Sequence, residues 1–221
     1  MKIKLSRNSI KIIAILAMVL DHVAYLFLDT NQVLGFIFRF LGRITYPLMA
    51  FMIVEGYFHT KNYKRYLFRM FVASVVAYFA NAYFLGTLLP ASALSTLFLG
   101  LFALGILYGK QKLEMKIAYL FMIFCLALLT DYSIFGVALI LLFAILREKK
   151  IYMVVGYLLM VMVQLCLNFS YNPLIQLGLL LVIPLVFLYD GNKKENKNFN
   201  YFFYYFYPIH LVLLKLIDYL N

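Results

Sequence analysis

Tryptophan is absent from this 221-residue chain, cysteine occurs twice and histidine three times. Acids are also rare, nine against 20 lysines and arginines. Each scarcity excludes something. Cys125 and Cys166 both lie in apolar runs, so they read as small apolar residues and indicate neither a disulfide framework nor a metal site. Charged residues make up 13% of the chain, about half the share of a soluble domain, which leaves no room for a separate soluble unit. Without tryptophan, tyrosine and phenylalanine must supply any aromatic belts at a membrane surface.

What is present is apolar. Hydrophobic residues are 66% of the chain and mean hydropathy is +0.92, so the fold class is an all-α, polytopic integral membrane bundle forming one domain over 1–221. The apolar segments lie near 10–28, 34–58, 67–88, 94–109, 115–130, 132–146, 151–168, 173–189 and 201–220, about nine transmembrane helices. The two between 115 and 146 are short: fifteen residues of helix reach about 22 Å against a ~30 Å hydrocarbon core. The basic start MKIKLSRNSIK resembles a signal peptide but lacks a small-residue cleavage site, so it is expected to lead an uncleaved first span. No internal repeat is evident.

The net charge of +11 follows from topology rather than from nucleic-acid binding, since no basic stretch interleaves with exposed aromatics. Lys2, Lys4, Arg7 and Lys11 precede the first span. Lys61, Lys64, Arg65 and Arg69 follow the second; Lys110, Lys112 and Lys116 the fourth; Arg147, Lys149 and Lys150 the sixth; Lys193, Lys194 and Lys197 the eighth. Thus 17 of the 20 basic residues occupy alternate connections. The positive-inside rule then places the N-terminus in the cytoplasm and the C-terminus outside.

Arg39, Arg43 and Lys215 are the exceptions. Arg39 and Arg43 are spaced i, i+4 and share a helix face. Asp21 and His22 lie near the far end of the first span, at a depth comparable to Arg43 on the next, antiparallel span. His22 and Arg43 are therefore expected to face one cavity. Asp21 points about 100° away from His22 and is expected to pair with Arg39, Arg43 or Lys215. Ionisable groups at membrane depth usually face a bundle interior and serve a function, although a structural ion pair or a satisfied interhelical hydrogen bond would also retain them. Glu55 is expected to pair with Arg65 or Arg69. His59 reads as interfacial, Asp131 as a turn or cap residue, and His210, beside Pro208, as a second buried candidate.

At these residues the chain resembles the TraX family. The resemblance rests on KIIAILAMVLDH, RFLGRITYPLMAFMIVEGYFHT, KRYLFR, DYSIFGVALILLF, LYDGNK and YFFYYFYPIHLVLLKLI, in order along nearly the whole chain. It implies an acyltransferase of the bacterial cytoplasmic membrane, related to integral-membrane enzymes that move acyl groups from cytoplasmic acyl-CoA to envelope acceptors; the family's named member acetylates a pilin. By that resemblance His22 corresponds to the central histidine, and Arg39 and Arg43 to the nearby arginines. The implied co-substrate is acetyl-CoA, its phosphates met by Lys61, Lys64, Arg65 and Arg69, with no metal. The implied acceptor is a peptide or envelope glycan. His22 would serve as base or acetyl carrier, Arg43 and Arg39 as oxyanion partners, and Asp21 as the group that orients or neutralises them. A small transporter or flippase using Asp21, His22, Arg43 and His210 as an ion path is the alternative. It would be favoured by repeats and broken helices.

Overall fold

The structure, a computed structural model, describes residues 4–167, 172–191 and 199–220, so the expectations for Lys2, Lys193, Lys194 and Lys197 lie outside the described residues. Among the described residues there is no strand, and the apolar segments coincide with helices. They are α1 (Arg7–Phe27), α2 (Val33–Gly42), α3 (Thr45–His59), α4 (Tyr63–Leu85), α5 (Ala93–Leu107) and α6 (Leu113–Ala127). Then follow α7 (Ser133–Ile145), α8 (Lys150–Leu167), α9 (Pro173–Gln176), a 3-10 turn (Leu177–Leu181), α10 (Val182–Leu188) and α11 (Phe199–Leu220). Arg7–Phe27, Val33–His59 and Tyr63–Leu85 are long and apolar enough to cross a membrane. The chain is a membrane protein.

The second span is not one straight helix. It breaks at Arg43 and Ile44. Pro47 is the cause: it has no N–H to offer the Arg43 carbonyl, and its ring would strike that carbonyl in a continuous helix, whereas the first turn of α3 tolerates it. Arg43 is therefore the residue that ends α2 rather than a mid-helix residue.

Every residue from Tyr46 to Glu55 is buried, which makes α3 the centre of the bundle. Around it stand α1, α5, α7 and α10; α4 and α11 pack on each other outside, and α6 covers α5 and α7. A helix covered on all sides needs no polar stripe, which is why 46–54 reads as uniformly apolar in the sequence. The α6 and α7 helices are 15 and 13 residues long, so neither alone spans a ~30 Å core.

The ends are tied by backbone hydrogen bonds. Leu5 N–H donates to Leu188 at 2.8 Å and Asp190 N–H donates to Leu5 at 2.9 Å, while Lys4 pairs with Asp190 at 3.0 Å. At the opposite end, Ala91 N–H donates to Leu129 and Asp131 N–H to Ala91, each at 2.8 Å.

Glu55 does not meet Arg65 or Arg69. Its partner is Arg147, with Nε 2.6 Å from Oε1 and Nη2 3.4 Å from Oε2. Tyr189 donates to Oε2 at 3.0 Å. Arg65 lies exposed on the first turn of α4, while α3 ends beside the start of the α7–α8 connection, so the nearer guanidinium comes from a residue 92 positions away. The hydrogen bond to Glu55 holds the Arg147 guanidinium above its ordinary value. Glu55 is 5% exposed and Arg147 29%, so the arginine regains water when its partner is lost. Glu55→Gln is accordingly expected to cost about 2 kcal/mol, below the 3–5 kcal/mol of a fully buried pair. A thermal melt in detergent reads it.

Candidate functional site

Asp21 and His22 occupy the last third of α1, facing α2 and α11. The Asp21 carboxylate holds both guanidiniums: Oδ2 lies 2.9 Å from Arg39 Nη1, and Oδ1 lies 3.0 Å from Arg43 Nη2. Arg43 Nε also donates to the Arg39 backbone carbonyl at 3.3 Å, which ties the Arg43 side chain to α2. Gly42 permits the arrangement, because any Cβ there would collide with the Asp21 side chain. Lys215, the third cation expected as a partner of Asp21, instead pairs with Asp218 at 2.8 Å. An acid three residues away on the same helix is nearer than one on α1.

The imidazole of His22 meets that of His210 across 188 residues of sequence. His210 Nε2 is 3.1 Å from His22 Nδ1, and His210 Nδ1 is 3.0 Å from the Phe206 carbonyl. A carbonyl oxygen has no proton to give, so His210 Nδ1 carries a hydrogen. A neutral His210 then accepts at Nε2, and His22 donates from Nδ1. This assignment follows from the hydrogen-bond network, and it leaves the lone pair of His22 on Nε2. Phe84 packs edge-on against the His22 ring at 5.3 Å, and Phe206 stacks on His210 at 5.4 Å. The α11 helix runs through Pro208 as one helix.

His22, Asp21, Arg39 and Arg43 all line a cavity of about 550 Å³. Asn81, Asp131, Tyr132, Ser133, Gln164 and Gln176 share its wall. Asp131, a turn residue by sequence, is brought to the cavity because the 86–92 and 128–132 connections pair at Ala91 and Thr130. Ser133 beside it has φ of 48°, a left-handed conformation uncommon for a residue with a side chain and most often seen at sites that require it.

A neck of about 60 Å³ adjoins this cavity, sharing Asp21, His22, Tyr46, Asp131 and Tyr132 with it. Tyr46 and Tyr132 stack at 3.7 Å to form part of its wall. The neck shares Met49, Leu97 and Phe203 with a third cavity of about 450 Å³. That cavity is at the opposite end of α1 and is lined by Arg7, Lys11, His59, Lys61 and Arg69. Three voids that share lining residues thus run from a basic end to His22.

Of the four basic residues that follow the second span, Lys61 and Arg69 line the basic cavity, while Lys64 and Arg65 are exposed and do not line it. Their positions on the first turn of α4 point away from α1. Arg7 and Lys11 read in the sequence only as topology markers; the signal that would find them is that they belong to alternate basic connections, as Lys61 and Arg69 do. His59 lines the basic cavity, with Nδ1 2.8 Å from the Glu55 carbonyl, far along the bundle from His22.

The model of the TraX protein family matches residues 6–218. A probable fimbrial assembly protein FimC, serogroup H1, from Dichelobacter nodosus is 33% identical over 232 residues, covering 96% of this chain and 95% of that relative. No solved structure matches. Matched over nearly its whole length by the family model and by this relative, the chain belongs to the TraX family.

Proposed function

We propose that this chain is a membrane-embedded acetyltransferase that moves the acetyl group of acetyl-CoA to an amine or hydroxyl of an exported acceptor. One observation carries the reading: three cavities that share lining residues lie in line between a cluster of cations and an imidazole whose Nε2 is free to act as a base.

The residues suit that co-substrate. Arg7, Lys11 and Lys61 converge on the entry cavity, with Arg69 at its edge, and the charges of the first three fit phosphate oxygens. Lys11 and His22 are eleven residues apart on α1, roughly 16 Å along the helix, a distance on the scale of an extended pantetheine arm. The neck between them measures about 60 Å³ against about 450 and 550 Å³ for its neighbours, so it suits a thin chain better than a bulky one.

His22 Nε2 takes the proton from the acceptor's N–H or O–H as that atom bonds to the acetyl carbon. The carbon–sulfur bond breaks, and the coenzyme sulfur leaves with the proton that His22 returns. Arg43 and Arg39, held by Asp21, oppose the negative charge that develops on the acetyl oxygen, and the low dielectric of the bundle strengthens that effect. His210 keeps the His22 ring in the tautomer with Nε2 free.

The acceptor would enter the 550 Å³ cavity from the other end. The family and the fimbrial assembly relative favour an exported pilin-like peptide, with an envelope glycan as the second class. The alternation of basic connections favours the bacterial cytoplasmic membrane with the basic end in the cytoplasm.

The test uses purified protein in nanodiscs with acetyl-labelled acetyl-CoA and, separately, a peptide with a free amino terminus or a glycan. Free coenzyme A and labelled acceptor are expected. Proton or anion movement across vesicles without coenzyme release would instead support a transporter and overturn the proposal. Lys11→Gln and Lys61→Gln are each expected to raise KM for acetyl-CoA about tenfold at unchanged kcat, since a charge-assisted hydrogen bond contributes about 1.5–3 kcal/mol. Initial rates over a range of acetyl-CoA read both constants.

A further inference from the structure

We propose that the outer groove between α4 and α11 holds one acyl chain of an anionic phospholipid, with the lipid phosphate seated at Arg69. The inference does not depend on the transfer chemistry.

The groove measures about 820 Å³. Phe68, Val72, Val76 and Phe79 form one wall, on successive turns of a single face of α4. Tyr205, Ile209 and Leu213 form the other, on α11. Ala73 and Ala80 are buried beneath, so small side chains set the depth. The lining is apolar except at one end. Among the described residues Arg69 is the only charged one to line it, near the end of the groove where α4 begins.

Length suits a lipid tail. From Phe68 to Tyr83 the groove runs fifteen residues of helix, about 22 Å, enough for an extended acyl chain crossing the ~15 Å of one leaflet's hydrocarbon. Its alanine floor lies between two walls of large exposed side chains, so a single chain can lie along it.

Charge decides the lipid class. Arg69 and Tyr204 line both this groove and the basic cavity that holds Arg7, Lys11 and Lys61. A ligand reaching both needs an apolar tail and an anionic head. A zwitterionic lipid brings its own cation to this cluster, whereas phosphatidylglycerol brings net negative charge.

The absence of tryptophan supplies the probe. Phe79→Trp replaces one exposed aromatic of the groove wall with another and introduces a single tryptophan, excited at the red edge where the 19 tyrosines do not absorb. The variant is reconstituted in phosphatidylcholine vesicles and titrated with phosphatidylglycerol or phosphatidylcholine carrying brominated acyl chains, which quench on contact. Brominated phosphatidylglycerol is expected to reach half-quenching at about fivefold lower mole fraction, since one basic residue near a membrane surface contributes about that factor. Adding Arg69→Gln should abolish the difference and Arg69→Lys should keep it. Equal quenching by the two lipids, or a preference that survives Arg69→Gln, overturns the proposal. Because the comparison of the two lipids is made with Arg69 present, it stands even if the arginine variants fold poorly.

Discussion

His22→Ala is expected to remove acetyl transfer, with kcat lower by about 10²–10⁴-fold, while the protein still inserts and melts close to the parent. The effect is large because His210, the other imidazole of the pair, sits behind His22 and does not line the cavity, so its Nε2 lone pair, freed when His22 is removed, is not placed against the acceptor. The structural cost is small because the His22 ring borders a cavity on one side, so truncation enlarges an existing void rather than opening a new one in packed core. His210 acts through His22, so the two should not be additive. His210→Phe alone should lower kcat by less than His22→Ala and change its dependence on pH, whereas in the His22→Ala background it should change almost nothing. Turnover within about tenfold of the parent in His22→Ala, measured as coenzyme A release, would remove His22 from the mechanism.

Much of this site is legible from spacing alone. Asp21 and Arg43 sit at similar depth on consecutive antiparallel helices, and a four-residue spacing aligns Arg39 with Arg43, so one carboxylate can meet both. Neighbouring helices joined by a short connection constrain each other tightly. The partners that escape such reading are remote. His210 meets His22 only because α11 packs on α1, and Arg147 meets Glu55 only because α7 packs on α3. Nothing in the composition of α7 or α11 marks which apolar helix it joins, since both faces of a lipid-embedded helix are built from the same residues. Pro47 is a local signal for the break after Arg43, masked by the continuous hydropathy of 34–58. Asp131 belongs to a third class: it looks like a turn residue because it is one, and only the backbone pairing of two connections carries it to the cavity.

Asp21→Ala is expected to lower stability by about 3 kcal/mol and to depress turnover along with it, since removing a partner from a buried pair costs about 3–5 kcal/mol. One carboxylate compensates two guanidiniums, so its loss strands both charges rather than one. Asp21, Arg39 and Arg43 are 18–20% exposed and border a cavity, so solvent recovers part of that cost, while the second stranded cation adds to it. Like-charge repulsion between the two arginines then drives them apart, and the oxyanion partners lose their positions even though both remain in the chain. Two companion variants separate these effects. Gly42→Ala keeps every charge but places a methyl group where the Asp21 side chain lies, so it should reproduce the turnover defect in weaker form. Combining Asp21→Asn with Arg39→Gln removes one stranded cation and should recover about half of the lost stability without restoring full turnover. Thermal melts in detergent, paired with coenzyme release for each variant, read both quantities. If Asp21→Ala melts with the parent, the two arginines find compensation elsewhere in the cavity wall, with Asp131 the carboxylate that borders it, and Asp131→Asn in that background should then be severely destabilising.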